Sequence, residues 1–241
     1  MLQGPHGPFT VENKVIDDPP LLTIKNGFQR PSTLQLQAFA GVSTGVVVDC
    51  LGGRGAVPIK PVNSQQTVFS GVALTCDCGP ADNLAVFAAL KIAQPGDVIT
   101  VATGAYRPTA VIGDMVLGMA KNCGAHALVT DGFVRDTDGI CAVGLPCFAA
   151  GVTPNSPARN GPGSAGLPVV FDDVVINSGD IIVGDADGIV VVPFERIEEV
   201  RAALPQVLEA EAALEAKVKA GLKSPDFVAD LLVGDQVKLV D

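Results

Sequence analysis

The chain has 241 residues, of which 48 % are hydrophobic and only 17 % are charged, and its formal net charge is −10. This length fits one large domain or two small ones and is enough to bury about three quarters of the surface of the unfolded chain. The negative charge, together with the lack of any Lys/Arg cluster, argues against nucleic acid as a partner.

The sequence also argues against a membrane partner. It contains no apolar run of the roughly 18 residues that are needed to span a bilayer. Residues 1–8 show neither the basic region nor the apolar region of a secretory signal. We therefore expect a cytoplasmic protein whose partner is a small molecule.

Cysteine and histidine give little support for a zinc site. The sequence has no Cys-x-x-Cys pair and only two histidines, His6 and His126, neither of which we expect to be catalytic. We expect the thiols to be reduced and buried. The six cysteines are Cys50, Cys76, Cys78, Cys123, Cys141 and Cys147.

The first half of the chain predicts helices alternating with strands. Residues 1–30 form a Pro/Gly-rich arm, with a short helix predicted near 21–27. Ser43 or Thr44 can cap a helix that runs to Leu51 and ends at a pair of glycines. The other predicted elements are strands at 56–59, 67–76 and 97–102 and a helix at 81–93.

The middle of the chain predicts a helix, a strand and a charged loop in succession. The helix begins at Asp114 and ends near Gly124, an apolar strand follows, and the next loop carries Arg135 and Asp136. Twenty residues separate Asp114 from Arg135. A carboxylate at a helix start is thus expected to meet an Arg-Asp pair at a strand end.

The last part of the chain predicts short strands and then helix. Small residues form a loop at 155–166, and Gly-Asp turns separate the later strands. A helix follows from Phe194 to Lys219, with Pro205 beginning a second segment. This mixture predicts one α/β domain with more than one sheet layer. The predicted strands are 144–149, 169–170, 179–184 and 188–193.

The grouped charges suit an anionic oxo acid and a hard cation. The first N–H groups of the helix, from Met115 and Val116, have no intrahelical acceptor, and Gly113 lets a ligand approach them closely. Arg135 can grip the same anion with its planar fork. Asp136 offers a hard oxygen ligand to Mg²⁺ or Mn²⁺, and Asp114 holds one of the waters of that ion.

A purely structural interpretation stays open on the residues alone. Acidic residues are common at helix starts, so Asp114 can be only a helix cap. The Arg135-Asp136 pair can be only a turn with surface charges.

The spacing of Asp114, Arg135 and Asp136 resembles the signature of the RraA-like family of class II pyruvate aldolases. The likeness covers roughly residues 30–220. It implies a β/β/α three-layer swivelling fold at 31–193, with a C-terminal helical extension at 194–241 that contacts a neighbouring subunit in a homotrimer or homohexamer. Other matching stretches are Pro80–Ala85, Pro95–Val98, Asn160–Gly163, Gly179-Asp180 and Gly184–Pro193.

The resemblance also implies an activity. Such enzymes cleave 4-hydroxy-4-methyl-2-oxoglutarate or 4-carboxy-4-hydroxy-2-oxoadipate to pyruvate and a second oxo acid, and decarboxylate oxaloacetate through the same pyruvate enolate. Residues Gly113 to Val116 and Arg135 then bind substrate, Asp136 binds Mg²⁺ or Mn²⁺ directly, and Asp114 acts through water. A glutamate from a neighbouring subunit completes the site; we place it at Glu211, with Glu209 and Glu215 as alternatives.

The sequence also bears on three alternative functions. Some RraA-like proteins inhibit a ribonuclease by contact, without catalysis. A Schiff-base aldolase needs a lysine with a lowered pKa, and Lys25, Lys60, Lys91 and Lys121 all stand beside polar or turn residues. A methyltransferase needs a glycine-rich turn after a strand, which Gly161-Pro-Gly163 does not supply. The chain departs from the family at Phe171-Asp172-Asp173 and at Tyr106-Arg107-Pro108, so we expect it to differ from the family in its substrate rather than in its core chemistry.

Overall fold

A computed structural model describes residues 19–234, 236–238 and 240 of the chain. The helices are α1 Thr33–Gln37, α2 Thr44–Cys50, α3 Leu84–Ile92, α4 Asp114–Asn122, α5 Thr137–Val143, α6 Ile197–Lys219 and α7 Asp226–Leu232. The strands are β1 Leu22–Ile24, β2 Ala56–Val57, β3 Lys60–Pro61, β4 Phe69–Asp77, β5 Asp97–Ala102, β6 Ala110–Ile112, β7 Ala127–Thr130, β8 Phe133–Val134, β9 Cys147–Ala149, β10 Gly151–Val152, β11 Gly163–Ala165, β12 Val169–Phe171, β13 Val174–Ile176, β14 Ile181–Asp185 and β15 Gly188–Val192.

The larger sheet is mixed. Its strands follow the order β2-β15-β14-β4-β5-β7-β9-β3, and β11 and β1 extend it beside β4. The central strands β4, β5, β7 and β9 are parallel, whereas β14, β15 and β2 run antiparallel to their neighbours. Strand β5 is buried along its whole length, and four of its six residues are apolar, as is typical of a central strand covered on both faces.

Alternating side chains of this sheet enter two different layers. Leu74, Ile99 and Leu128 face α3 and α4, in one apolar cluster with residues of both helices. Their chain neighbours Ala73 and Val98 face the β12-β13 hairpin on the other side. Helices α2 and α6 cover β14 and β15 in a third cluster. The layers are therefore sheet, sheet and helix, and the predicted α/β fold with a C-terminal helix is confirmed.

A small parallel sheet positions the candidate site. Its strands follow the order β10-β8-β6, so the carboxyl ends of β6 and β8 meet at one edge. Gly113 follows β6 and Arg135 follows β8. The backbone N–H of Arg135 donates to the carbonyl of Ile112 at 3.1 Å. This pairing joins the two segments that the sequence separates.

Two predicted helical features were wrong. Residues 22–24 form a strand rather than a helix, since Leu22 to Ile24 pair with Gly163 to Ala165 of β11. Helix α6 continues through Pro205 rather than beginning again there. Proline removes one helical hydrogen bond, but Val200 and Leu204 before it are anchored in the core against α2.

The described residues contain no helix that is both long and apolar enough to cross a membrane. All six cysteines are free, and Cys76, Cys78 and Cys147 are buried as expected, while Cys141 is exposed. Burial raises the pKa of the Cys147 thiol to about 12, so this thiol is inert at neutral pH.

Candidate active site

Gly113 lies directly against the side chains of Arg135 and Asp136. A Cβ atom at Gly113 would overlap Asp136 Oδ2 and would lie 3.2 Å from Arg135 Cγ. The backbone of Gly113 is extended, with φ −133°, which any residue adopts. Glycine is therefore needed here for the close approach of the Arg-Asp pair rather than for its backbone freedom.

Asp114 is the first residue of α4 and rests on α5. Gly113, not Asp114, is the N-cap of α4. Asp114 Oδ1 accepts a hydrogen bond of 2.7 Å from the N–H of Met115. A Cβ atom at Gly139 would lie 2.7 Å from Asp114 Cβ and 2.8 Å from its Cγ. The Met115 N–H is thus already occupied, contrary to our expectation, and a ligand carboxylate would have to compete with Asp114 for it.

The Arg135-Asp136 pair is held from both ends. Arg135 Nε lies 3.1 Å from Asp136 Oδ2, and Arg135 Nη1 donates to Ser156 Oγ at 2.5 Å. Asp136 has the left-handed backbone conformation (φ 60°, ψ 48°), which costs a residue with a side chain about 1–2 kcal/mol. Its carbonyl accepts from the N–H of Ile140 and so begins α5. Strain of this kind is common at functional sites.

These groups line a cavity of about 140 Å³. Drug-sized ligands occupy roughly 300–1,000 Å³, so this cavity suits a metabolite of a few carbon atoms. Clefts of about 530 to 740 Å³ elsewhere on the surface contain none of the predicted residues at 113–116 or 135–136. The cavity is lined by Asn83, Val111, Ile112, Gly113, Asp114, Met115, Val116, Arg135, Asp136, Pro157 and Arg159.

Asn83 brings an unpaired oxygen to this cavity. Its Nδ2 donates to the carbonyl of Val111 at 3.1 Å, which fixes the orientation of the amide. Its Oδ1 is buried and has no hydrogen-bond partner within the described part of the chain. An unmade hydrogen bond of this kind costs about 1–3 kcal/mol, so a donor at this wall of the cavity would be favourable.

The donor set fits a hard divalent cation. Asp114 and Asp136 bring two carboxylates to one cavity. Across residues 19–234 and the few described beyond them, no three His, Cys, Asp or Glu side chains form a metal-binding group. Mg²⁺ and Mn²⁺ keep several waters and need only one or two protein carboxylates. A closed zinc site would need four ligands, so the residues fit Mg²⁺ or Mn²⁺ better.

The predicted glutamates lie elsewhere on the same subunit. Glu211 of α6 lines two surface clefts, one with Thr44 and Asp187 and one with Glu215. Glu215 also pairs with Lys219 at 2.5 Å. Within one chain these residues, and the exposed Glu209, stay apart from the cavity at Arg135.

None of the Schiff-base candidates Lys25, Lys60, Lys91 and Lys121 lines the cavity. Lys60 donates to the carbonyl of Asp187, and Lys121 donates to that of Val143. His126 Nδ1 lies 2.8 Å from the carbonyl oxygen of Ser70, beside a separate cleft.

Sequence reasoning missed Asn83, Ser156 and Arg159. Asn83 falls within a stretch that matched the family pattern, Pro80–Ala85, and Arg159 immediately precedes another, Asn160–Gly163. The match therefore carried a signal for Asn83, whereas Arg159 lies just outside the matched residues. Their residue types alone did not distinguish them from ordinary loop residues.

The chain belongs to the RraA-like family, since the family model described as "RraA-like: Aldolase/RraA" matches residues 44–191. A relative from Halalkalibacterium halodurans, named "Putative 4-hydroxy-4-methyl-2-oxoglutarate aldolase", is 38% identical over 164 residues, which are 67% of this chain and 78% of the relative.

Solved structures show the same fold. RraAS2 of Streptomyces coelicolor, described as an unusual member of the RNase ES inhibitor RraA family, is 27% identical with a TM-score of 0.68, covering 79% of this chain and 98% of that one. The RNA-processing inhibitor RraA from Thermus thermophilis is also 27% identical, with a TM-score of 0.58, covering 63% and 93% of the two chains.

Proposed function

We propose that this protein is a divalent-metal-dependent lyase. It cleaves 4-hydroxy-2-oxo acids with two or three carboxylates, such as 4-hydroxy-4-methyl-2-oxoglutarate or 4-carboxy-4-hydroxy-2-oxoadipate, to pyruvate and a second oxo acid, and it also decarboxylates oxaloacetate. The observation that carries the proposal is the meeting of the α4 N-terminus, Arg135 and Asp136 around one small cavity. The name of the Halalkalibacterium halodurans relative supports the same reaction class.

Arg135 is the group that stabilises the developing charge. Cleavage of the C3–C4 bond leaves its electron pair on the pyruvate unit as an enolate, while C4 becomes a carbonyl. The guanidinium of Arg135, fixed by Ser156 and Asp136, faces the enolate oxygen and lowers its energy. The N–H of Val116, at the positive end of α4, holds the substrate carboxylate beside it, and the N–H of Met115 joins it when the ligand displaces Asp114 Oδ1. A proton then returns to C3 and gives pyruvate.

Two acids complete the machinery. Asp136 would hold Mg²⁺ or Mn²⁺ directly and Asp114 would hold it through water; when bound, the ion would supply Lewis-acid polarisation of the oxo group. In the aldol reaction, a water held by Asp114 takes the C4 hydroxyl proton and passes one of its own protons to the Asp114 carboxylate. Decarboxylation needs no such base, because carbon dioxide leaves in place of the carbonyl product. One site thus serves both reactions.

A neighbouring subunit supplies Glu211 in this proposal. The outer part of α6 exposes Leu208, Leu214 and Val218, each more than 40 % accessible. Such a row of apolar side chains favours burial against a second copy. A homotrimer or homohexamer would then bring Glu211 to the water at Asp114 of the next subunit.

The test is turnover of both substrates with and without metal. We expect activity that EDTA abolishes and Mg²⁺ restores. Asp136→Asn removes the metal-binding carboxylate and should lower kcat/KM by about 100-fold or more. Asp138→Asn, which changes an exposed acid of the same helix, is the matched control and should behave as wild type. If Asp136→Asn keeps more than about a tenth of the activity, the role of Asp136 is wrong.

A second candidate function is ribonuclease inhibition by contact. The structural likeness to the Thermus and Streptomyces RraA proteins favours it. A pull-down with the ribonuclease, beside a magnesium-dependent oxaloacetate decarboxylase assay, separates the two. Binding without turnover supports the regulator, and turnover without binding supports the lyase.

A further inference from the structure

We propose that Arg159 selects dicarboxylic substrates by binding the carboxylate remote from the pyruvate unit. This inference rests on the proposed function and names the group that recognises the far end of the substrate. Arg159 lines the same cavity as Arg135, which binds the pyruvate unit. A substrate with one carboxylate would use only the first of these arginines.

The Arg159 side chain is held in place by an aromatic ring. Its Cζ lies 5.2 Å from the centroid of Phe87, a residue of α3. Stacking on a ring orients the guanidinium plane while its N–H edge stays available for a bidentate contact with a carboxylate. Arg159 is exposed, and this contact restricts the rotation that its side chain would otherwise have.

The backbone around Arg159 is fixed as well. Asp82, only 7% exposed, accepts hydrogen bonds through Oδ2 from the N–H groups of Asn160 (2.5 Å) and Gly161 (3.2 Å). On the other side, the N–H of Ala158 donates to the carbonyl of Ala81, and the carbonyl of Ala158 accepts from the N–H of Asn83. A buried carboxylate and two backbone bonds thus hold the loop that carries Arg159. Such preorganisation lowers the entropy lost on binding.

Arg159 differs from Arg135 in its ion pairing, although Asp114 and Asp136 line the same cavity. In the ranges that the structure describes, no Asp or Glu carboxylate forms a salt bridge with Arg159, whereas Arg135 is paired with Asp136. The chain as a whole carries a net charge of −10, so an arginine without an acidic partner at the cavity is conspicuous. A ligand carboxylate would pair with the Arg159 guanidinium through a charge-assisted, bidentate contact.

This role has a different consequence for each reaction. In the aldol substrate the remote carboxylate stays in the product, so Arg159 contributes to binding throughout. In oxaloacetate the remote carboxylate is the group that leaves as carbon dioxide, and its contact with Arg159 stabilises the ground state. Removing that contact should therefore weaken oxaloacetate binding without lowering the rate constant for decarboxylation.

The experiment compares Arg159→Gln and Arg159→Lys with wild type. The readouts are KM for 4-hydroxy-4-methyl-2-oxoglutarate and oxaloacetate, turnover of the monocarboxylic analogue 4-hydroxy-2-oxopentanoate, and the inhibition constant of pyruvate. We expect Arg159→Gln to raise both dicarboxylate KM values by about 10- to 100-fold, with kcat on oxaloacetate undiminished. Monocarboxylate turnover and pyruvate inhibition should change by less than about twofold. The dicarboxylate KM values of Arg159→Lys should lie between those of wild type and Arg159→Gln.

The matched control is Arg54→Gln, at an exposed arginine that lines a different cleft. A parallel rise in the pyruvate inhibition constant, or unchanged dicarboxylate KM values, would overturn the proposal. If wild type shows no turnover, calorimetry with 2-oxoglutarate and pyruvate tests Arg159 alone. If 2-oxoglutarate binds more tightly than pyruvate and Arg159→Gln abolishes this difference, the proposed role of Arg159 is upheld although the protein is not a lyase. If the two acids bind equally well to wild type, the role is rejected.

Discussion

Replacing Gly139 by alanine tests whether Asp114 is held by α5. A Cβ atom at Gly139 would lie 2.7 Å from Asp114 Cβ and 2.8 Å from its Cγ. Asp114 Cβ is attached to the first turn of α4, so it cannot turn away as the end of a long side chain would. The substitution should therefore displace Asp114 together with its bond to Met115.

The magnitude follows from a comparison with Gly118→Ala. Both glycines are helical, and replacing a helical glycine by alanine stabilises a protein by about 0.5–1 kcal/mol. A Cβ atom at Gly118 would have nothing within 4 Å, so Gly118→Ala should keep this gain. Gly139→Ala adds an overpacking cost of about 1–3 kcal/mol. The difference between the two variants is the cost of the contact with Asp114.

The assays are denaturant unfolding and oxaloacetate decarboxylation. Gly139→Ala should be less stable than Gly118→Ala by about 1–3 kcal/mol. It should also lose about 10- to 100-fold in kcat/KM, since a displacement of 1 Å in a site has that effect. Equal stability and equal activity of the two variants would refute the packing of Asp114 on α5.

Two further predictions concern buried acids. Arg30→Met leaves the fully buried Asp97 without its bidentate partner and should destabilise the protein by about 3–5 kcal/mol in urea unfolding, while Arg201→Ala, at a surface pair, should cost less than about 1 kcal/mol. Burial raises the pKa of Asp131, so its native form binds protons more tightly than its unfolded form, and wild-type stability falls as pH rises from about 3.8 through the raised pKa. The asparagine of Asp131→Asn does not titrate, so the free energy of unfolding of wild type relative to the variant should be larger at pH 4 than at pH 7. A larger relative stability of wild type at pH 7 would contradict the raised pKa.

Local signals in the sequence predicted most of the main sheet and its helices. The turn from Asp185 to Gly188 predicted the β14-β15 hairpin. Gly188 has φ 145°, a conformation that residues with a side chain rarely adopt, so glycine is required there. Ser43, one of the two residues predicted as the cap of α2, accepts a hydrogen bond from the N–H of Val46. These features depend on neighbours in the chain, so a short window of sequence contains them.

The missed features depend on distant pairing. Strand β1 exists because Lys25 and the residues before it bond with β11, more than 130 positions away. Helix α5 carries Gly139 and several β-branched residues, so its propensity is low, and it begins at Asp136 in a left-handed conformation. The small sheet of β6, β8 and β10 has strands of two or three residues. Segments this short have no detectable periodicity.

The candidate site was likewise predicted only in part from the sequence. The spacing of Asp114, Arg135 and Asp136 predicted that these residues would meet, and the parallel pairing of β6 with β8 explains why they do. Asn83 and Arg159 reach the cavity from loops whose positions depend on bonds to Asp82 and Val111. No sequence pattern specifies those bonds.

Exchange of the methyl protons of pyruvate for deuterium, followed by proton NMR, tests whether the site stabilises the pyruvate enolate. Exchange requires the enolate that the site is proposed to stabilise, and it needs no second product or remote carboxylate. We predict exchange by wild type with Mg²⁺, none after EDTA, and a loss of about 100-fold or more in Arg135→Ala with the fold retained. Wild-type protein that leaves pyruvate unexchanged in the presence of Mg²⁺, or Arg135→Ala that exchanges it as fast as wild type, would contradict the account.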